Sequence, residues 1–231
     1  MQEFQRYAIY YAPPEGPFAS AGAAWLGWDT MAGCSIQQPH FANLDLGAIT
    51  KTPRKYGFHG TIKPPFALAQ GHTFTDLSAA IDQLCNTLAP AQCGALALHR
   101  IGRFLALVPT GDLTPLGALA AQVVQNLDHF RAAPTPDELA RRRQKRLSPR
   151  QEENLQNWGY PYVMDDFKFH ITLSGGMDDA TAQLAQNAAA QFILRHAPQP
   201  FTLKELCLFG EAQDGQFHLL SRHQLCGVTS Q

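Results

Sequence analysis

Two short segments of the chain, 57–63 and 167–173, alternate apolar and polar residues. Successive side chains of an extended strand point to opposite faces, so each segment is predicted to be a strand with one apolar and one polar face. Each polar face carries a histidine and, two positions further on, a threonine. The pairs are His59 with Thr61 and His170 with Thr172.

The elements predicted after each segment occur in the same order, a helix and then a β-hairpin. The apolar periodicity and the turn residues predict helices at about 76–88 and 178–196, and hairpin strands at 94–98 with 103–108 and at 201–209 with 216–224. The two units are offset by about 111 positions. Such an internal repeat is an architectural signal. It predicts two similar lobes that face each other, with both polar strand faces in one cleft.

The rest of the chain is predicted to add one strand and several helices. An aromatic and β-branched run predicts a strand over 6–12, which two prolines end. A short helix is predicted over 19–28. Between the two units, helix-start signals at Thr114, Thr135 and Ser148 predict a helical insert.

These elements predict a single bilobal domain over residues 1–231. Lobe one is expected at about 1–110, the helical insert at about 111–160 and lobe two at about 161–231. A chain of this length can bury a substantial core.

Composition narrows the partners and the compartment. The formal charge is −1, from 18 basic and 19 acidic residues, so no broad field favours a nucleic acid or an anionic membrane, and an anion must be captured locally. The five cysteines form no C-x-x-C pair and their number is odd, which favours reduced thiols. No segment approaches the length of a membrane span. We expect a soluble, cytoplasmic protein.

The two histidines suit the chemistry of a phosphodiester. Opening it needs one group that takes a proton and another that gives one, and histidine is best matched to both tasks near neutral pH. The threonine hydroxyls can donate to a non-bridging oxygen whose charge grows in the transition state. Which histidine is the acid and which the base stays open. The motifs lack metal-ligand spacing, so neither a metal nor another cofactor is expected.

Basic residues near the motifs leave two interpretations open. Lys63 and Lys168 lie on the same predicted faces as the two histidines and could add positive charge, or could be solvated. The basic run at 141–146 is most simply a solvated helix end. Alternatively, one or two of its arginines reach the cleft and bind a second phosphate.

These motifs, with three further segments, resemble a known superfamily. The segments are Arg6-Tyr7-Ala8-Ile9-Tyr10, Gly57-Phe58-His59-Gly60-Thr61-Ile62-Lys63, Phe130-Arg131-Ala132, Trp158-Gly159-Tyr160-Pro161-Tyr162 and Phe169-His170-Ile171-Thr172-Leu173. The paired His-x-Thr motifs are similar to those of the 2H phosphoesterase superfamily. The Trp-Gly-Tyr-Pro-Tyr segment is most like the bacterial 2H-type proteins associated with phosphonate-utilisation operons.

The resemblance implies a fold, an activity and site residues. The fold would be α+β and bilobal with a pseudo-two-fold axis, in which two antiparallel sheets form a central cleft and the helices lie outside. The activity would be metal-independent chemistry on cyclic phosphates or 2′,5′ linkages. The active residues would be His59, Thr61, His170 and Thr172, and the expected substrate contacts are Arg131, Arg142, Tyr160 and Tyr162.

Three functions follow as hypotheses. The first is a cyclic phosphodiesterase acting on a small phosphorylated substrate such as 5-phosphoribosyl 1,2-cyclic phosphate. The second is an RNA 2′,3′-cyclic phosphodiesterase or a 2′,5′ ligase-like enzyme, which the near-neutral charge does not favour. The third is a nucleotide-binding module without turnover. The sequence leaves the oligomeric state open.

Overall fold

The structure is a computed structural model, and it describes residues 4–228. Within them the strands are β1 (Arg6–Tyr11), β2 (Trp28–Asp29), β3 (Cys34–Ser35), β4 (Gly60–Phe66), β5 (Ala91–Gln92), β6 (Leu96–Ile101), β7 (Phe104–Pro109), β8 (Ile171–Thr172), β9 (Thr202–Leu203), β10 (Glu205–Glu211) and β11 (Phe217–Gln224). The helices are α1 (Pro17–Leu26), α2 (Leu46–Arg54), α3 (Phe74–Cys85), α4 (Thr114–Asn126), α5 (Pro136–Arg143), α6 (Pro149–Trp158) and α7 (Asp179–Phe192).

The fold is α+β, and its strands pair antiparallel. The main sheet has the order β11-β10-β1-β4-β8-β7-β6, and β2–β3 and β5–β9 form two small separate sheets. β4 and β8 are joined by the single pair Gly60–Ile171. The main sheet therefore consists of two antiparallel halves, β11-β10-β1-β4 and β8-β7-β6, that meet at one point.

The predicted lobe boundaries at about 110 and 161 are wrong, because the two hairpins are exchanged. The hairpin β10–β11 follows β8 in the chain but pairs with β1 in the other half. The hairpin β6–β7 follows β4 but pairs with β8. Helix α3 packs against β10 and β11, and α7 packs against β6 and β7. A local pattern specifies that a segment is a strand, but not which sheet edge it joins.

Core residues cover both faces of the central strands. The main core lies between the sheet and the helices and includes Ile9, Trp25 and Ile81. A smaller cluster lies on the opposite face and consists of Ala8, Tyr10, Ala12, Cys207, Phe209 and Phe217. Because β1 is central, its alternating side chains are buried in both directions. Tyr10 is thereby placed on the face that also carries the first His-x-Thr motif.

Two helices of the helical insert begin where the sequence predicted. Thr135 and Ser148 each cap a helix through a capping box, in which the hydroxyl accepts from a main-chain N–H and the side chain three positions on binds back. Helix α5 has no buried residue. Within residues 4–228, no helix combines the length and the apolar character needed to cross a membrane.

Candidate active site

The two His-x-Thr motifs meet at the contact between β4 and β8. The paired residues, Gly60 and Ile171, are the middle residues of the two motifs. In an antiparallel pair this register puts His59 opposite Thr172, and it puts Thr61 opposite His170. Directly opposed residues share a face, so all four polar side chains lie on one face of the sheet. The two histidines are diagonal neighbours, for which Cβ atoms are about 7–8 Å apart.

A glycine allows the two strands to approach at this point. A Cβ atom on Gly60 would lie 2.3 Å from the ring of Phe169, so the ring occupies the space of the missing side chain. Phe169 is itself buried and belongs to the main core. The contact that brings the two motifs together therefore requires glycine at position 60.

The shared face opens into a cavity of about 450 Å³. It is lined by Arg6, Tyr10, Thr52, Pro53, Tyr56, Gly57, His59, Thr61, Pro64, Pro65, Phe104, Arg142, Tyr160, Thr172, Ser174, Gly175 and Gly176. Adjoining it is a second compartment of about 420 Å³, which His170 lines and which shares Thr61, Phe104 and Tyr160 with the first. The motif residues therefore lie where the two compartments join.

The two histidine rings are oriented in the same way by the chain two residues before them. Nδ1 of His59 is 2.9 Å from the carbonyl oxygen of Gly57, and Nδ1 of His170 is 2.8 Å from that of Lys168. A carbonyl can only accept, so Nδ1 carries the proton in each neutral ring and Nε2 keeps its lone pair. Gly57 has a φ of 71°, a left-handed conformation that glycine adopts without strain. Each Nε2 is thus left to exchange a proton with a ligand.

Burial keeps the His59 ring uncharged near neutral pH. Burial lowers the pKa of His59 from 6.5 to about 4; the hydrogen bond to Gly57 opposes this change, and the charge of His170 adds to it. The ring of His59 also stacks on Tyr10 with centroids 3.9 Å apart. Its Nε2 lies 3.3 Å from Oγ1 of Thr61.

Arg142 and Tyr160 lie in the cavity where contacts were predicted. The guanidinium of Arg142 lies over the Tyr160 ring, 4.5 Å from its centroid. The Asn154 amide donates to the carbonyls of Pro161 and Val163, which fixes the chain that follows Tyr160. Both Arg142 and Tyr160 thus reach the cavity from the helical insert.

Tyr162 and Lys168 line the second compartment, beside His170. Tyr162 is 37% exposed and makes an edge contact with Tyr160 at a centroid distance of 5.6 Å. Lys168 is exposed. Neither touches the cavity that His59 lines.

Lys63 does not reach the cleft, so its predicted role in substrate binding is wrong. The register of β4 against β1 shifts between the pairs Ile9–Lys63 and Tyr10–Thr61. The extra residue of this bulge turns Lys63 to the core side, with Ile9. Its Nζ lies 3.1 Å from Oδ1 of Asp128 and also donates to a main-chain carbonyl of α4. Burial lowers the pKa of Lys63 from 10.5 to about 8, which the charge of Asp128 opposes.

Arg131 is also held away from the cleft. Its guanidinium binds both oxygens of Asp128 at 2.8 Å and donates to the carbonyl of Asn157 at 3.2 Å. It lines neither compartment. The predicted substrate contact is replaced by a structural ion pair, in which Asp128 is shared with Lys63.

Arg6, Tyr10 and Tyr56 line the cavity and were not predicted as site residues. Arg6 and Tyr10 come from β1, and Tyr56 lies just before the first motif. The signal was the Arg6-x-x-x-Tyr10 spacing on a strand, which puts both side chains on one face. Burial raises the pKa of Tyr10 well above 10.0, so its phenol stays neutral. Arg6 is paired with Glu211 through two hydrogen bonds.

The polar groups of the cleft are not a metal-ligand set. Within residues 4–228, no three His, Cys, Asp or Glu side chains are grouped in a way that could hold a metal ion. The arrangement offers two imidazoles and two hydroxyls instead. These groups can move protons and donate hydrogen bonds at one point.

Fold and site together define an α+β protein with paired His-x-Thr strands around one cleft. The chain belongs to the family described as "Protein of unknown function (DUF1045)", which matches residues 61–218. The matched region contains the second motif and the threonine of the first.

Two curated relatives carry the same name, "Ribose 1,5-bisphosphate phosphokinase PhnN". The protein from Janthinobacterium sp. (strain Marseille) is 33% identical over 222 residues, which cover 93% of this chain and 49% of the relative. That from Laribacter hongkongensis (strain HLHK9) is 32% identical over 221 residues, with 94% and 51% covered. The chain therefore spans about half the length of these relatives.

Solved structures give a more distant likeness. TT0787 of Thermus thermophilus is 16% identical with a TM-score of 0.44, and the alignment covers 96% of this chain and 98% of that one. A structure described as a phosphoesterase is 13% identical with a TM-score of 0.45 and the same coverage. E. coli LigT complexed with NADP+ is 13% identical with a TM-score of 0.42, again with 96% and 98% covered.

Proposed function

We propose that this protein is a metal-independent phosphodiesterase of the 2H type, which hydrolyses a small cyclic phosphate by acid–base catalysis with two histidines. The observation that carries the proposal is the Gly60–Ile171 pair, around which both motifs share one face of the sheet. His59, Thr61 and Thr172 line one cavity, and His170 lines the compartment that adjoins it. The phosphate would sit between His59 and His170. The hydroxyls of Thr61 and Thr172 would donate to its non-bridging oxygens.

The two histidines take different roles in this reaction. His59, neutral because of its lowered pKa, removes a proton from the attacking water through Nε2. The water oxygen forms a bond to phosphorus, and the ester bond of the ring breaks. His170, protonated at Nε2, gives its proton to the departing ring oxygen. The product is a phosphate monoester, and the roles exchange in the reverse direction.

The substrate we propose is a sugar cyclic phosphate, such as 5-phosphoribosyl 1,2-cyclic phosphate in phosphonate metabolism. A cavity of about 450 Å³ has the size of a sugar phosphate site. The two curated relatives carry names that refer to a ribose bisphosphate. Their names support a ribose phosphate as the ligand of this chain.

A panel of substrates and variants tests the proposal. Purified protein is assayed with 5-phosphoribosyl 1,2-cyclic phosphate, nucleoside 2′,3′-cyclic phosphates and RNA with 2′,3′-cyclic ends. We expect turnover of the sugar cyclic phosphate and a loss of at least about 1000-fold in kcat for His59→Ala and His170→Ala. Turnover at the wild-type rate in either variant would remove that histidine from the mechanism. Turnover of RNA ends alone would assign the RNA function instead.

A second substrate separates the acid from the base. The p-nitrophenolate group of bis(p-nitrophenyl) phosphate departs without protonation, so the general acid contributes little to its release. His170→Ala should therefore lose much less activity on this ester than on the cyclic phosphate. His59→Ala should lose a similar factor on both. The opposite pattern would exchange the two assignments.

A further inference from the structure

The cavity contains a guanidinium that the proposed chemistry does not use. Arg142 is partly buried on α5 and lines the cavity beside Tyr160. Within residues 4–228 no carboxylate forms an ion pair with it, although its neighbour Arg143 pairs with Glu152 of α6. The Arg143–Glu152 pair links α5 to α6. The Arg142 guanidinium lies over the Tyr160 ring, which also lines the cavity.

The electrostatic balance of the cavity is positive. Its lining includes Arg6 and Arg142, and none of the lining residues carries a carboxylate. Arg6 is already neutralised by Glu211, which lies outside the cavity. Burial lowers the pKa of Arg142 below its usual value; the charges of Arg141 and Arg6 act in the same direction, and Tyr160 and Glu138 oppose them. A partly desolvated guanidinium without an ion-pair partner favours an anion from outside the chain.

Arg142 and the motif residues line the cavity from different elements of the fold. His59, Thr61 and Thr172 line the same cavity on the β4–β8 contact, whereas Arg142 reaches it from the helical insert. A guanidinium forms two parallel hydrogen bonds with a phosphate monoester, and the phenol of Tyr160 offers a further donor. The helical insert thus offers an anionic group a partner in addition to the groups at the β4–β8 contact.

We infer that Arg142 and Tyr160 form a subsite for a second phosphate, so that the preferred substrate is a cyclic phosphodiester that also carries a phosphate monoester. The inference rests on the proposed function, because it assumes that the diester is bound at the two histidines. It adds the residues that would recognise the second phosphate of such a substrate. A nucleoside cyclic phosphate without a second phosphate would lack this contact.

Two substrates that differ only in the second phosphate test the inference. They are adenosine 2′,3′-cyclic phosphate with and without a 5′-phosphate. Arg142→Met should lower kcat/KM for the doubly phosphorylated substrate about 10- to 100-fold more than for the other, mainly through KM. Arg142→Lys, which keeps the charge but loses the planar fork, should lie between the wild type and Arg142→Met.

Arg141 provides the matched control. It is the adjacent arginine on α5, it is exposed, and it does not line the cavity. Arg141→Met removes the same charge from the same helix and should leave the ratio of the two kcat/KM values unchanged. An equal change in Arg141→Met and Arg142→Met would mean that only the general field matters, and would overturn the subsite. An unchanged ratio in Arg142→Met would overturn it as well.

A binding measurement distinguishes failure of the subsite from failure of the proposed function. Calorimetry compares adenosine 3′,5′-bisphosphate with adenosine 3′-monophosphate, and neither probe needs to be turned over. The wild type should bind the bisphosphate about 10- to 100-fold more tightly, and Arg142→Met should lose this preference. That result without turnover of any cyclic phosphate would refute the catalytic proposal and keep the subsite. Turnover that depends on His59 and His170 without this preference would refute the subsite alone.

Discussion

The lowered pKa of His59 links the candidate active site to the stability of the protein. The folded protein has a pKa of about 4 at this ring, against 6.5 in the unfolded chain. Between these values the unfolded chain binds a proton that the folded chain does not. The free energy of unfolding should therefore fall as the pH is lowered from about 6.5 to about 4, and His59 should add no pH dependence above that window.

The size of the effect follows from the two pKa values. A ring with a pKa of about 4 in the folded state and 6.5 in the unfolded state destabilises the fold by about 2 kcal/mol at pH 5, and by about 3 kcal/mol at pH 4, relative to pH 7. These values are a substantial fraction of the total stability of a small domain, which is about 5–15 kcal/mol. The effect is therefore measurable by ordinary equilibrium unfolding.

The assay compares the wild type with His59→Gln, which cannot titrate. Urea unfolding at about pH 7, 6 and 5 gives the free energy of unfolding of each protein. Other titrating groups contribute to both proteins, so the difference between the two pH dependences isolates His59. We expect the wild type to lose about 2 kcal/mol more than His59→Gln between pH 7 and pH 5.

One result would refute the reasoning. If both proteins lose the same free energy on acidification, then His59 titrates alike in the folded and unfolded states, and burial does not hold it neutral. An NMR titration of the His59 ring in the folded protein gives an independent check. A midpoint near 6.5 would contradict the assignment of His59 as the neutral base.

Three further outcomes are expected from substitutions, and one from chelation. Asp128→Asn should destabilise the protein by about 3–5 kcal/mol in urea unfolding, because it leaves the buried ammonium of Lys63 without its counter-charge. Lys63→Met should keep kcat/KM within about 3-fold of the wild type, because the side chain is turned away from the cleft. Thr61→Val and Thr172→Val should each lower kcat by about 10- to 1000-fold as oxyanion donors are lost. Incubation with a strong chelator should leave turnover unchanged, as measured against an untreated sample.

Controls and contrary results accompany these outcomes. A large loss of kcat/KM in Lys63→Met with normal stability would return this lysine to the site. Unfolding curves of the threonine variants must match the wild type before their kcat values are compared. Chelation that abolishes turnover, with recovery on addition of one divalent cation, would contradict the metal-free mechanism.

Local patterns predicted most elements and the four motif residues. The alternation at 57–63 and 167–173 identified the two polar faces, and the start signals at Thr135 and Ser148 marked the helices of the insert. These features depend on side-chain periodicity and on hydrogen bonds within a few residues. Such features can therefore be predicted from the sequence alone.

Features that depend on contacts between distant segments could not be predicted in this way. A bulge in β4 turns the Lys63 side chain into the core, although strict alternation would put it on the same face as His59. Arg131 pairs with Asp128 instead of lining the cleft. Tyr10 lies in the site but comes from another strand, where its ring stacks on His59. Register shifts and ion pairs of this kind arise from packing across the sheet, which single-segment patterns do not encode.

By itself, the sequence determined which residue types could carry acid–base chemistry and that two similar strands present them. Only the tertiary structure decided that these strands touch at Gly60 and Ile171, that the hairpins cross to the opposite halves of the sheet, and that Arg142 rather than Arg131 lines the cavity. The physical reason is that periodicity fixes the face on which a side chain lies. Long-range packing decides which other segment lies against that face. Here the absence of a side chain at Gly60 makes room for the ring of Phe169.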